Sequence, residues 1–141
     1  MKKNTLIISV ILVMTGLLVW STGCKKDETN PDFLIQIDSI VMPDTIHVTD
    51  TLLVKFYGVI GPDGCYKFDR FENAALEGND PANSMKFKIW GKHEDTGNCN
   101  QQIVYLDGAE VGINGFIKGI FNVLVVQPDG TIMVSSVYVK E

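Results

Sequence analysis

Short runs of apolar residues that alternate with polar ones fill the chain from residue 33 onward. Between residues 51 and 57, Leu52, Val54 and Phe56 fall on one face of an extended strand and Lys55 falls on the other. β-Branched and aromatic residues dominate these runs, and turn-forming residues separate them. The pattern predicts seven strands, at 33–41, 51–60, 65–73, 85–93, 101–107, 117–127 and 131–140.

Two tripeptides between the predicted strands have strong turn chemistry, in which Pro presets φ, Asp caps the turn and Gly takes a positive φ. Pro128-Asp129-Gly130 predicts a hairpin between the last two strands. Pro62-Asp63-Gly64 predicts a tight turn that places the second and third strands side by side in one sheet. Asp107-Gly108 is a candidate for a further hairpin turn. Residues 71–77 are expected to form one helical turn at most.

About seven short strands with these turns predict an all-β domain, an immunoglobulin-like antiparallel β-sandwich that spans 33–141. The predicted pairing across residues 62–64 conflicts with the usual immunoglobulin topology, in which those two strands lie in different sheets. The connectivity therefore stays open. The 118 residues from position 24 onward are enough for one domain with its own core.

The N-terminal region has the layout of an export signal. Lys2 and Lys3 precede an apolar run of 15 residues at 6–20, which is shorter than the roughly 20 residues that a spanning helix needs. Small residues then lead to Cys24. This order predicts a signal peptide at 1–23, a lipid on Cys24 and a polar, flexible tether at 24–32. The alternatives are an uncleaved single-pass helix and an ordinary signal with a coincidental cysteine.

Ser21-Thr22-Gly23-Cys24 resembles the bacterial lipoprotein lipobox, although an aliphatic residue is commoner where Ser21 stands. Lys26-Asp27-Glu28 resembles the surface-export tag of Bacteroidetes-type lipoproteins, and the alternative interpretation is a solvated linker. The whole layout is similar to small Bacteroidetes-type lipoproteins with a single immunoglobulin-like domain. The resemblance implies an outer-membrane lipoprotein, exposed on the cell surface in some members, and for some an accessory role in surface glycan-binding systems.

Charge narrows the choice of partners. Residues 1–23 carry two lysines and no acid, so the formal charge of −5 for the chain becomes −7 for the remainder. An acidic chain is poorly suited to nonspecific nucleic-acid binding, which requires neutralised phosphates. The expected partners are the membrane, through the lipid anchor, and a glycan or another envelope protein.

The cysteine count predicts a disulfide. Once Cys24 is acylated, Cys65 and Cys99 remain, and an exported protein meets an oxidising environment. Their bond would close a 35-residue loop and contribute about 4 kcal/mol on the chain-entropy account. A metal site that uses both cysteines and His93 is the alternative, but the spacing matches no familiar ligand pattern. The sequence therefore predicts no metal and no cofactor.

Catalytic signatures are missing from the sequence. His47 and His93 are the only histidines, and no hydrolase, zinc-protease or phosphate-loop motif is present. His93-Glu94-Asp95 is the densest titratable cluster and suggests either a metal or general-base site or a solvated loop, of which we favour the loop. Four aspartates in predicted loops suggest Ca²⁺, but none of these loops has the alternating acid pattern that such a site uses: Asp63, Asp80, Asp95 and Asp129. We expect a noncatalytic protein.

The strand at 85–93 carries the candidate ligand-binding surface. A period of two places Lys86, Lys88, Trp90 and Lys92 on one face, opposite the predicted core residues. An exposed Trp among lysines suits a sugar ring or an anionic polymer. Lysines that guard an edge strand and cover the indole with their stems are the alternative. An exposed partner aromatic, such as Tyr66 or Tyr105, would favour sugar binding.

These features together predict a noncatalytic cell-envelope lipoprotein whose sandwich domain is a binding or structural module. A surface carbohydrate-binding accessory protein of a glycan-uptake system is the alternative.

Overall fold

The computed structural model describes residues 31–95 and 97–141, and the regular structure in that part of the chain is entirely β. The predicted signal peptide, Cys24 and most of the tether lie outside the described residues. No helix within the described ranges is long or apolar enough to cross a membrane. The described residues form nine strands: β1 (Phe33–Leu34), β2 (Gln36–Val41), β3 (Thr45–His47), β4 (Leu52–Gly61), β5 (Tyr66–Ala74), β6 (Ser84–His93), β7 (Val104–Ile113), β8 (Gly119–Val126) and β9 (Ile132–Lys140).

Two sheets pack as a sandwich, which confirms the predicted fold class. The smaller sheet has the order β2-β4-β7. The larger sheet has the order β1-β6-β8-β9-β3, with β5 along the other edge of β6. Most strand pairs are antiparallel, as predicted, whereas β3 with β9 and β6 with β8 are parallel.

The turn at 62–64 connects the two sheets. Asp63 caps it, because its carboxylate accepts a hydrogen bond from the Cys65 amide at 2.9 Å and its carbonyl accepts one from the Tyr66 amide at 3.2 Å. β4 belongs to the smaller sheet and β5 to the larger, so the expected side-by-side pairing across this turn is wrong. Turn chemistry fixes a local reversal, but the packing of the two sheets decides which strand the chain then joins.

The turn at 128–130 makes the predicted hairpin between β8 and β9. The Gln127 amide donates to the Thr131 carbonyl at 2.8 Å. The hydroxyl and the amide of Thr131 both donate to the Asp129 carboxylate, and these hydrogen bonds lower the pKa of Asp129. Residues 71–77 contain no helical turn, because β5 continues to Ala74.

Asp107-Gly108 is not a hairpin turn, contrary to the prediction. β7 runs through both residues, and its register with β4 shifts there. Gly108 has a φ of 72°, a value that L side chains rarely adopt. A dipeptide with turn chemistry therefore forms a β-bulge inside a strand.

The core lies between the sheets and follows the predicted alternation. Leu52, Val54 and Phe56 of β4 are buried, and Phe56 has no exposed surface. The Phe56 ring lies 6.1 Å from the ring of Phe87 on β6 and 5.5 Å from that of Phe71 on β5. Since β4 and β6 belong to different sheets, these aromatic contacts join the two layers, and burial of each such side chain contributes roughly 1.5–3 kcal/mol.

One polar side chain also joins the layers. Gln127, only 4% exposed, follows β8 in the larger sheet and reaches β2 in the smaller one. Its Oε1 accepts a hydrogen bond from the Ile37 amide at 3.0 Å, and its Nε2 donates one to the Ile37 carbonyl at 3.1 Å. The primary amide therefore pairs with the edge of β2 as another strand would.

Candidate functional sites

Strand β6 presents the predicted alternation, with one correction. Phe87 and Ile89 face the core, and Lys88, Trp90 and Lys92 are partly exposed on the other face. Lys86 shares that outer face but is only 3% exposed, so its expected accessibility to a ligand is wrong. Alternation assigns a residue to a face and does not show what covers that face.

The loop between β5 and β6 covers Lys86. The Lys86 ammonium lies 2.8 Å from the Asp80 carboxylate and 3.8 Å from that of Glu77. A hydrogen bond from the Glu77 amide and another from Lys86 lower the pKa of Asp80, and the bond to Asp80 raises the pKa of Lys86. Both groups are therefore charged at neutral pH, and Lys86 fixes the loop onto the sheet.

Trp90 is held by two neighbours on β5. Its indole N–H donates a hydrogen bond to the Glu72 carboxylate at 2.8 Å. The Arg70 guanidinium lies over the ring, 5.4 Å from its centroid, in a cation–π arrangement. Arg70 is itself paired with Asp32, at 2.8 Å, and with Asp69. Arg70 thus covers one ring face, where the sequence predicts lysine stems as the alternative.

Glu94 links two lysines at the end of the same face. Its carboxylate lies 2.7 Å from the ammonium groups of both Lys67 and Lys92. Hydrogen bonds from these lysines, followed by their positive charges, lower the pKa of Glu94 to about 2. The hydrogen bond to Glu94 raises the pKa of Lys92. A carboxylate with so low a pKa is a poor proton acceptor at neutral pH, which disfavours a general-base role for Glu94.

A cleft of about 370 Å³ lies beside the covered lysine. Lys86, Lys88 and Glu72 contribute its polar lining, and Val126 and Ile132 contribute apolar lining. Among residues 31–95 and 97–141, Lys88 has no ion-pair partner. Two of the four predicted ligand-binding residues therefore line this cleft.

The predicted disulfide joins Cys65 to Cys99, with the two Cα atoms 5.2 Å apart. Cys65 directly precedes β5, and Cys99 lies in the loop that follows β6. The Gly64 amide donates to the Asn100 carbonyl at 2.9 Å and so holds that loop against the turn. A Cβ atom at position 64 would lie 2.0 Å from the Asn100 side-chain oxygen, so a larger residue there would require that exposed side chain to move.

Two more side chains that can bind a metal ion, Asp63 and His93, lie beside this disulfide. One donor atom from each of Asp63, Cys65, His93 and Cys99 can be chosen so that all four lie within 4.8 Å of one another. His93 is the cross-strand partner of Tyr66, and the two rings are 4.6 Å apart. The structure thus brings together the three residues of the metal alternative. Asp63, which the sequence analysis considered for a turn and for Ca²⁺ but not beside the cysteines, is a fourth member.

A second cleft, of about 380 Å³, opens on the solvent side of the smaller sheet. Its lining includes two tyrosines and two aspartates, Tyr57, Tyr105, Asp38 and Asp107. Tyr57 pairs with Asp107 across β4 and β7, and Tyr105, 61% exposed, lies two residues before Asp107 on β7, opposite Val59. A Cβ atom at Gly108 would lie 3.1 Å from the Tyr57 hydroxyl, so the absence of a side chain at position 108 leaves room for that phenol.

The aromatic partners expected for Trp90 lie elsewhere. Tyr105 belongs to the smaller sheet, whereas Trp90 belongs to the larger. Tyr66 packs edge-on against Phe33, with 5.5 Å between ring centroids, and borders the core. Alternation along β4 could have placed Tyr57 on the outer face. Its proximity to Tyr105 follows from the register between β4 and β7, which the sequence does not reveal.

Comparisons with protein-family profiles, curated proteins and solved structures find no match to this chain.

Proposed function

We propose that this chain is a noncatalytic lipoprotein of the bacterial cell envelope whose sandwich domain is a binding module. The order of features along the chain carries this proposal. A basic start, a short apolar run and small residues precede Cys24, and a polar segment separates Cys24 from the first strand at Phe33. A lipid on Cys24 would hold the domain at the membrane, and residues 25–32 would separate it from the surface.

Detergent partitioning tests the anchor. We expect the full chain, expressed in a bacterial host, to enter the detergent phase of a phase-separating detergent. Partitioning alone does not identify the lipid, because an uncleaved apolar run at 6–20 would also enter detergent, so the lipid itself is followed with a labelled fatty acid. The wild type should incorporate the label and Cys24→Ala should not, because it has no thiol to acylate. Lys25→Ala is the matched control and should incorporate as much label as the wild type. Equal incorporation by Cys24→Ala, or none by the wild type, would contradict lipid anchoring at Cys24.

The external or periplasmic position of the domain is a separate part of the proposal. Lys26-Asp27-Glu28 supports an external position through its resemblance to a surface-export tag. We expect that protease added to intact cells of the bacterium that naturally makes this protein will degrade the wild-type domain. A variant with alanine at all three tag positions should be protected until the outer membrane is opened. Equal protection of both proteins would place the domain in the periplasm.

A carbohydrate is the ligand class that the second cleft favours. Tyr57 and Tyr105 offer aromatic surfaces on which the apolar face of a sugar ring can pack. Asp38 and Asp107 beside them offer carboxylate oxygens that accept hydrogen bonds from sugar hydroxyls. Pockets with apolar walls and a few converging polar groups are the usual form of small-ligand sites.

A glycan array followed by calorimetry tests this second candidate. Tyr105→Ala should abolish binding of any glycan that the wild type retains. Tyr138→Ala is the matched control, since Tyr138 is also an exposed tyrosine but lies on β9 of the other sheet. Trp90→Ala tests the surface predicted from the sequence. Loss of binding in Trp90→Ala with full binding in Tyr105→Ala would move the site to β6 and contradict the tyrosine cleft.

A further inference from the structure

We propose that Asp63, Cys65, His93 and Cys99 form a Zn²⁺ site that becomes available when the Cys65–Cys99 disulfide is reduced. Two cysteine sulfurs, an imidazole and a carboxylate converge at one end of the sandwich, and reduction would turn the sulfurs into the thiolates that zinc prefers. Soft sulfur donors with an imidazole favour zinc over calcium or magnesium, whose ligands are oxygens. The inference is independent of the proposed binding function.

Strand pairing and the turn at 62–64 together hold three of the four donors in place. Cys65 directly precedes Tyr66, the residue paired with His93, and the Glu94 amide donates to the Cys65 carbonyl at 2.9 Å. Asp63 is fixed two residues earlier by the hydrogen bond that its Oδ1 accepts from the Cys65 amide. These contacts are made by backbone groups and by the turn, so they do not depend on the S–S bond.

Conversion of this cluster into a tetrahedral site requires mainly that the two bonded sulfur atoms move apart. The four donor atoms lie within 4.8 Å of one another, and neighbouring ligand atoms around tetrahedral zinc are about 3.3–3.8 Å apart. Cys65 is only 2% exposed, so the site would form at a partly shielded position. Cys99 lies on the loop side and can move away from Cys65 once the bond between them is broken.

The reaction needs a reductant, for which we use a water-soluble phosphine. Phosphorus gives two electrons to the disulfide and takes an oxygen atom from water, which yields a phosphine oxide and two thiols. Zinc then displaces the thiol protons, because the thiolate is the ligand. While the disulfide is intact, both sulfurs are bonded to each other and neither is a thiolate. The oxidised chain should therefore bind zinc far more weakly.

Cobalt titration tests the site, since Co²⁺ reports thiolate ligands by charge-transfer absorption. The full chain carries Cys24→Ala, so that the third thiol cannot contribute, and the phosphine is removed before metal is added. We expect one Co²⁺ per reduced chain, displaced by Zn²⁺, and no charge-transfer band in the oxidised chain. His93→Ala should weaken metal binding by at least about tenfold. Mutation of a residue that merely hydrogen-bonds to a metal ligand already lowers metal affinity by about 10–100-fold. His47→Ala, which changes the exposed histidine of β3, should bind normally.

Three results would overturn the inference. They are the absence of a charge-transfer band in the reduced chain, equal binding by the oxidised chain, and unchanged affinity in His93→Ala. If reduction unfolds the chain, added Zn²⁺ must restore its β-type circular dichroism, because the metal would replace the lost crosslink. Failure to restore it would overturn the inference as well.

Discussion

Replacement of Gln127 by Met tests the polar contact that joins the two sheets. Methionine keeps the length and approximate volume of glutamine but can neither accept from the Ile37 amide nor donate to the Ile37 carbonyl. Those two hydrogen bonds measure 3.0 and 3.1 Å, and both residues are buried. Ile37 immediately precedes the register shift between β2 and β4, and Gln127 pairs with both of its backbone polar groups.

The expected loss follows from the two backbone groups left without a partner. A buried, unsatisfied donor or acceptor costs about 1–3 kcal/mol, so Gln127→Met should lower the free energy of unfolding by about 2–6 kcal/mol. This is a large part of the roughly 5–15 kcal/mol that stabilises a typical domain. Urea denaturation with the disulfide intact measures it, and Gln102→Met, at an exposed glutamine, should change stability by less than about 0.5 kcal/mol.

A second substitution at the same position should make the stability of the protein depend on pH. In Gln127→Glu, only the protonated carboxyl can donate to the Ile37 carbonyl, so folding should raise the pKa of the new side chain above about 4.3. The folded state then binds the proton more tightly than the unfolded state. The variant should be closest to wild type below about pH 4 and lose stability as the pH rises. A small Gln127→Met effect, or a Gln127→Glu deficit independent of pH, would refute the proposed role of Gln127.

Three further predictions concern the core, the crosslink and the charged face. Phe56→Ala should cost about 3–5 kcal/mol in urea denaturation, and a loss below about 1 kcal/mol would contradict the interlayer packing at this fully buried ring. The double variant Cys65→Ala, Cys99→Ala should lose about 4 kcal/mol by the same assay, and unchanged stability would rule out the chain-entropy account. Folding lowers the pKa of Glu94 from 4.5 to about 2, so its stabilisation is complete above pH 4.5 and disappears as the pH falls toward 2. Glu94→Gln should therefore flatten the stability curve between those pH values, and an unchanged slope would contradict the ion pairs with Lys67 and Lys92.

Alternation along individual strands was enough to predict much of the fold. It identified the buried face of β4 and the core residues of β6, and turn chemistry identified the hairpin between β8 and β9. β3 was missed because it has only three residues and pairs in parallel with β9, some 90 positions further along the chain. The local sequence pattern around a short strand does not show which distant strand it pairs with.

The candidate sites were less predictable, because they depend on contacts between strands and loops. The cysteine count predicted the disulfide, yet the position of Asp63 beside it follows from the turn between sheets. Alternation places Lys86 on the correct face, but the loop that carries Asp80 covers it. The tyrosine cleft requires a specific β4–β7 register and two bulges, one at Asp38 and one at Gly108.

Mass spectrometry of the N-terminal peptide tests the anchored-module proposal most directly. The protein is to be extracted from the membranes of its bacterial host and digested. We predict that the mature chain begins at Cys24 and that this residue carries the mass of a diacylglyceryl group, with or without an N-acyl chain. A mature chain that begins elsewhere, or that begins at an unmodified Cys24, would contradict the proposal.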